Sequence, residues 1–255
     1  MLQAALPIPA PPDPAADSLF LDLDGTLAEI APSPEAATLH PAAHALLPRL
    51  VPAFAGRVAV VSGRSLAALE ALLPPAALAA GLALAGTHGL ELRRNGGTEP
   101  AARAAPGLAT AARALADLAR RDPRLRVEDK ALSLALHYRG APEREAELRA
   151  RARTIAAATG LALQTGKMVV ELRTPGPDKG DALRRLMGER PFAGSRPWMI
   201  GDDDTDEAGF AAAAALGGHG VRVGPARATA AAFMLPDVAA VVGWLGQGLG
   251  REPGR

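Results

Sequence analysis

The chain has no cysteine, which excludes disulfides, thiolate nucleophiles and cysteine-ligated zinc, and agrees with a reducing compartment. Aromatic residues make up only 3% of it, too few for the stacking platforms that hold single-stranded nucleic acids. Neither sign of charge dominates: 28 Lys and Arg face 27 Asp and Glu, so nothing in bulk draws the chain to nucleic acid or an anionic membrane. No run reaches the roughly 18 strongly apolar residues that a spanning helix needs. Met1–Asp17 is apolar, but its five prolines and lack of Lys or Arg exclude the basic start and continuous core of a secretory signal. Residues 1–17 are expected to form a disordered tail, and the Gly-rich residues 246–255 a flexible one. A cytoplasmic monomer is expected, since no extra apolar stripe stands out.

What is present suffices for a core: 255 residues, 49% hydrophobic and 22% charged. Five short apolar runs read as buried strands: Ser18–Leu23, Arg57–Val61, Leu82–Ala85, Pro197–Ile200 and Val221–Val223. Helical stretches follow Ser65 and Asp178. The alternation predicts an α/β fold with a doubly wound, Rossmann-like parallel sheet. The middle of the chain reads as helix (Gly107–Arg121), two strands (Leu125–Asp129, Ala131–Tyr138), helix (Pro142–Thr159) and strand (Gly166–Arg173). That order predicts an α+β domain over 106–174, inserted into a core of 18–105 and 175–245, with proline-containing hinges.

The strands end in polar motifs, which a parallel sheet brings to one edge. The first ends in Asp22-Leu-Asp-Gly-Thr, where Asp22 and Asp24 are two apart and would point the same way in an extended strand. Such a pair needs a cation unless it is only a polar turn. Ser62-Gly63-Arg64 is either an anion site or a helix cap. Lys179 is either a surface lysine or a fixed charge for a phosphoryl oxygen. Gly201-Asp-Asp-Asp-Thr-Asp-Glu207 places five carboxylates in six positions, either as charge at a helix start or as hard ligands that favour Mg²⁺ over zinc. A carboxylate nucleophile, a second carboxyl as acid and base, a cation and a lysine together suit phosphoryl transfer. No Gly-x4-Gly-Lys-Ser/Thr loop is present, which argues against a P-loop NTPase.

In this order the four motifs resemble those of haloacid dehalogenase (HAD) phosphatases. Thr87-His-Gly-Leu-Glu91, the stretch Glu128–Arg139, Gly166-Lys-Met-Val-Val-Glu171 and Gly201–Glu207 resemble trehalose-6-phosphate phosphatases more closely, over about Leu19 to Leu245. The resemblance implies that Asp22 attacks phosphorus and that Asp24 serves as acid and then base. It implies that Thr26, Ser62, Gly63 and Lys179 hold the phosphoryl group. Asp22, Asp24 (through its backbone carbonyl), Asp202, Asp203 and Asp206 would provide the Mg²⁺ site. The inserted domain would be a cap whose Glu128, Lys130, Arg139 and Glu171 bind the sugar, unless that strand face is simply solvated. His137 and Lys167 are further candidates. Glu128 and Lys130 have opposite parity to Arg139, so a turn between them is required. A related phosphatase of sucrose phosphate or mannosylglycerate phosphate, or an inactive sugar-phosphate sensor, are the alternatives. Relatives are often fused to a synthase; here a separate synthase is expected to act upstream.

Overall fold

The computed structural model describes residues 6–94, 97–98 and 103–250. The chain divides into two compact units, Met1–Glu99 with Pro177–Arg255, and Pro100–Gly176. The second begins earlier and ends later than the expected 106–174.

In chain order, the first unit opens with β1 (Asp17–Leu21), α1 (Pro41–Ala53), β2 (Val58–Val61), α2 (Leu66–Leu72), α3 (Pro75–Ala79), β3 (Ala83–Gly86), β4 (Glu91–Arg94) and β5 (Gly97–Thr98). The second unit is α4 (Leu108–Arg121), β6 (Arg126–Asp129), β7 (Ser133–His137), α5 (Glu145–Thr159), β8 (Ala162–Gly166) and β9 (Val169–Arg173). The first unit then resumes with α6 (Lys179–Met187), β10 (Arg196–Gly201), α7 (Glu207–Ala215), β11 (His219–Val223), β12 (Phe233–Leu235) and α8 (Val238–Leu249).

The first unit's sheet has the order β12-β11-β10-β1-β2-β3-β4-β5. The strands from β12 to β3 are parallel, and β4 and β5 add an antiparallel edge. Alternation decides which face each side chain serves. Leu19 and Leu21 join one core with Leu47, Leu69 and Val241 of α1, α2 and α8, while Phe20 joins another with Leu183 and Phe210 of α6 and α7. With both faces covered, these strands are apolar throughout, which is why they were legible as runs. The chain winds outward from β1 through β2 and β3, and in the other direction from β10 through β11 and β12. The strand order therefore reverses between β1 and β10, where open α/β sheets build their sites.

Among the described residues no helix is long and apolar enough to cross a membrane. The expected N-terminal tail departs from the structure over 6–16. Pro9 and Pro12 are buried, Trp244 Nε1 donates to the Ala10 carbonyl at 2.9 Å, and Met234 N donates to Pro7 O at 3.1 Å. Prolines that cannot join a ladder can still be tied down through their carbonyls. At the other end α8 runs to Leu249, and 251–255, like 1–5, lie outside the described residues.

The second unit is an antiparallel sheet, β6-β7-β9-β8. Leu134, Leu136, Val170 and Leu172 pack with Leu115 of α4 and Leu148 of α5. Strand β8 was not foreseen, and the expected Gly166–Arg173 strand is instead a β8–β9 hairpin turning at Lys167-Met168, with Met168 at φ 60°. The turn needed between Asp129 and β7 is present: Ala131 has φ 66°, and Lys130 N donates to Ser133 O. Glu128 pairs with Ala135 across the hairpin and so shares a face with His137, while Arg139 lies in the turn beyond the end of β7.

Candidate active site

Strand β1 ends at Leu21, and the backbone turns sharply after it: the amides of Thr26, Leu27 and Ala28 all point to the Leu23 carbonyl. Gly25 makes this turn at φ 80°, and a Cβ there would lie 2.3 Å from Cγ of Asp202. Only glycine lets the first strand's loop approach the carboxylate that follows β10 so closely. Gly201 has the same role, since a Cβ on it would lie 2.2 Å from Cγ of Asp206.

These approaches bring the carboxylates of Asp22, Asp202 and Asp206 together, with oxygens within 4.8 Å of one another and all three residues buried. Lys179, the first residue of α6, is 2% exposed and bridges two of them, with Nζ donating to Asp22 Oδ1 at 2.8 Å and to Asp206 Oδ1 at 2.7 Å. Its position is fixed from both sides. Asp178 and Asp181 form a capping box at the helix start, and Gly180 lets α6 approach the Ala208 carbonyl to 2.5 Å of a would-be Cβ. Burial pushes the Lys179 ammonium down, but the carboxylates of Asp206 and Asp22 outweigh it and hold it above its ordinary value. Burial raises the Asp22 carboxyl, and the nearby Asp206 and Asp202 raise it further against the pull of Lys179. Three buried carboxylates thus gather around the Lys179 ammonium. An all-oxygen donor set of this kind fits a hard divalent cation such as Mg²⁺.

Asp24 and Asp203 lie apart from this cluster. The strand ends at Leu21, before both aspartates, and the Asp24 carboxylate takes two hydrogen bonds from Arg64, at 2.7 and 2.8 Å. Asp203 caps the 3-10 turn that precedes α7, its Oδ1 accepting from Asp204 N, while its own amide donates to Asp206 Oδ2. Thr26 Oγ1 is buried without a hydrogen-bond partner among the described residues. Ser62 is 1% exposed, and its Oγ accepts from Arg64 N at 3.2 Å. The cap of α2 is Ser65, so Ser62 is not consumed in that role. Its neighbour Gly63 lies under the His88 ring.

Sequence reasoning named Arg64 only within its motif and missed its pairing with Asp24, and it missed Arg222 altogether. Arg222 is 4% exposed and donates to the Asp202 carbonyl at 3.1 Å, beneath the acidic loop. Both partnerships span many residues, and no local pattern announces them.

In the second unit, β6, β7 and β9 align one polar face, with Glu128, Ala135, Glu171 and Gln164 in a cross-strand row. Lys130 Nζ lies 3.1 Å from Glu171 Oε2, with both side chains nearly buried. His137 Nε2 lies 2.9 Å from Glu128 Oε2. Burial pushes the Glu128 carboxyl up, but the bond to His137 and the charge of Lys130 bring it below its ordinary value. Four of the named residues therefore form two coupled pairs. Arg139 is exposed past the end of β7, and Lys167 is exposed at the hairpin tip.

The profile of the family described as trehalose-phosphatase matches residues 20–237. The trehalose-6-phosphate phosphatase of Escherichia coli K12 is 39% identical over 228 residues, covering 89% of this chain and 84% of that protein. A solved structure described as a trehalose-6-phosphate phosphatase related protein superposes with a TM-score of 0.73 at 30% identity, over 90% of this chain and 95% of that one. The C-terminal domain of the Candida albicans trehalose-6-phosphate phosphatase gives a TM-score of 0.83 over 97% of this chain and 99% of that one, a likeness of fold at 20% identity.

Proposed function

Because the chain belongs to the trehalose-phosphatase family, we propose that it hydrolyses trehalose 6-phosphate to trehalose and phosphate through an aspartyl-phosphate on Asp22. The observation that carries this reading is the buried Asp22–Lys179–Asp206 arrangement, with Asp202, at the point where the strand order reverses.

An Asp22 oxygen forms the bond to phosphorus as the bond to the sugar oxygen breaks. Asp24 gives that oxygen its proton, then takes one from the water that releases phosphate. Each Asp24 oxygen accepts one hydrogen bond from Arg64 and keeps a second lone pair for the proton, so Arg64 can orient the carboxyl while it works. Lys179, Ser62 and the Gly63 loop hold the phosphoryl oxygens, and the unpartnered Thr26 hydroxyl supports a place for Thr26 among them. Asp22, Asp202 and Asp206 would hold Mg²⁺, with the Asp24 carbonyl beside them; the ion supplies positive charge to the phosphoryl oxygens. Asp203 supports this site from its capping position. Glu128, Lys130, Arg139 and Glu171 of the second unit, acting as a cap, read the sugar hydroxyls; paired acids and bases can satisfy both the donor and the acceptor of a hydroxyl. The enzyme works as a cytoplasmic monomer on substrate delivered by a synthase.

The test is phosphate release from a panel of sugar phosphates, with Mg²⁺ and with EDTA, using Asp22→Asn as the blank. Mg²⁺-dependent preference for trehalose 6-phosphate supports the reading. Preference for another sugar phosphate overturns the substrate and keeps the chemistry, and absence of turnover throughout overturns the enzyme.

A further inference from the structure

The stretch Thr87-His-Gly-Leu-Glu91 takes no part in the chemistry above, yet its backbone is unusual. Thr87, His88 and Gly89 are consecutive, buried, and all at positive φ: 46°, 56° and 104°. A threonine and a histidine are strained in that region, and such strain persists only where the surroundings enforce it.

The surroundings are the two loops that handle phosphate. On one side Thr87 N donates to Arg64 O at 2.8 Å, and His88 N donates to Ser62 O at 2.9 Å. The His88 ring lies on the backbone of Gly63, where a Cβ would come within 2.6 Å of Cε1 and Nε2. On the other side Gly89 approaches the residue before Lys179 so closely that a Cβ would lie 2.7 Å from Asp178 O. Glu91 fastens the turn: its Oε2 accepts from Thr87 Oγ1 at 2.5 Å and from Leu66 N, the first residue of α2, at 3.3 Å.

We propose that Thr87–Glu91 is a positioning turn for the phosphoryl site, setting the spacing between Ser62–Arg64 and Asp178–Lys179, with His88 and Glu91 as its positioning residues. The inference rests on the phosphatase reading for the meaning of those two loops. They follow different elements, one after β2 and the other at the start of α6. Groups that share one phosphoryl ion must be held to within about 0.5 Å. A turn bonded to one loop and in contact with the other supplies that constraint, and none of its side chains has to touch the ion.

The experiment compares wild type with Glu91→Ala and Glu91→Gln. It measures inorganic phosphate binding by calorimetry in Mg²⁺, and kcat and KM on trehalose 6-phosphate and p-nitrophenyl phosphate. Glu91→Ala should weaken phosphate binding roughly tenfold, the equivalent of a misaligned hydrogen bond to a charged group, and lower kcat/KM by a similar factor on both substrates. Glu91→Gln keeps an acceptor for Thr87 and should stay close to wild type. Unchanged phosphate affinity in Glu91→Ala, or equal damage in Glu91→Gln, overturns the proposal. If Glu91→Ala does not fold, His88→Asn tests the same turn, because asparagine tolerates positive φ while removing the ring from Gly63; unchanged phosphate affinity there overturns it equally. Loss of the phosphatase reading would show instead as a wild type without turnover, and phosphate affinity decides the positioning role independently.

Discussion

Replacing Lys179 by methionine isolates one buried charge at nearly constant volume, so little of the effect comes from a cavity. The side chain is 2% exposed, and the two carboxylates it bridges are 6% and 0% exposed. Removing one partner of a buried ion pair costs about 3–5 kcal/mol, because the remaining charge has neither water nor a counter-ion. For a chain of this size each kcal/mol moves the melting temperature by roughly 2–4 °C, so the variant in EDTA should melt roughly 6–20 °C below wild type near neutral pH. The deficit has a defined pH dependence. Burial already raises the Asp22 carboxyl above 3.8, and losing the opposing ammonium raises it further. An acid raised in the folded state contributes stability below its unfolded value and loses it as pH rises through the folded value. The deficit should therefore shrink towards mildly acidic pH and grow towards neutrality. Saturating Mg²⁺ should recover part of it, about 2.7 kcal/mol at a hundredfold excess over its dissociation constant. Thermal melts at two pH values, with EDTA and with Mg²⁺, measure all three effects. A melt in EDTA indistinguishable from wild type, or a deficit that deepens on acidification, would refute the charge accounting.

Asp22→Asn should abolish phosphate release and leave the circular dichroism spectrum unchanged; residual turnover above the reagent blank would remove Asp22 as nucleophile. Glu171→Ala should raise KM for trehalose 6-phosphate far more than for p-nitrophenyl phosphate, because it removes a carboxylate bonded to Lys130 on the sheet face and not one of the carboxylate cluster. Equal effects on both substrates would take Glu171 out of sugar recognition. Gly25→Ala forces an alanine to φ 80° and a methyl into the Asp202 carboxylate. Left-handed backbone alone costs an L-residue roughly 1–2 kcal/mol, so the variant should be less stable and need more Mg²⁺ for half-maximal activity; an unchanged Mg²⁺ titration would separate the turn from the acidic cluster.

Much of this was legible in the sequence because it is local. Ser18–Leu23 reads as a buried strand since both its faces are covered, and the abrupt change to Asp22 marks its end. The acidic run after Ile200 places Asp202 and Asp206 in the same way. What escaped notice depends on distant partners. Arg64 holds the Asp24 carboxylate across 40 residues, a pairing that no local pattern foresees. Strand β8 carries an ordinary Ala-Leu-Gln-Thr-Gly and owes its state to pairing with β9. The proline-rich start was read as unstructured because prolines remove donors, whereas its order comes from carbonyls met by Trp244 and Met234.

The adjacency of β1 and β10 has a consequence for how the molecule is made. Translation delivers β1 first, then seven further helices and strands of its own unit, then the whole insert, and only afterwards β10. Until then the long edge of β1 that β10 will cover has no partner, and an unpaired apolar strand is a template for association with another chain. The insert closes its own core, so it can fold on the ribosome while that edge waits. The carboxylates of Asp22 and Asp202, 180 residues apart in the chain, can meet only once β10 has been made. Nascent chains that stall before β10 would therefore be aggregation-prone and inactive together.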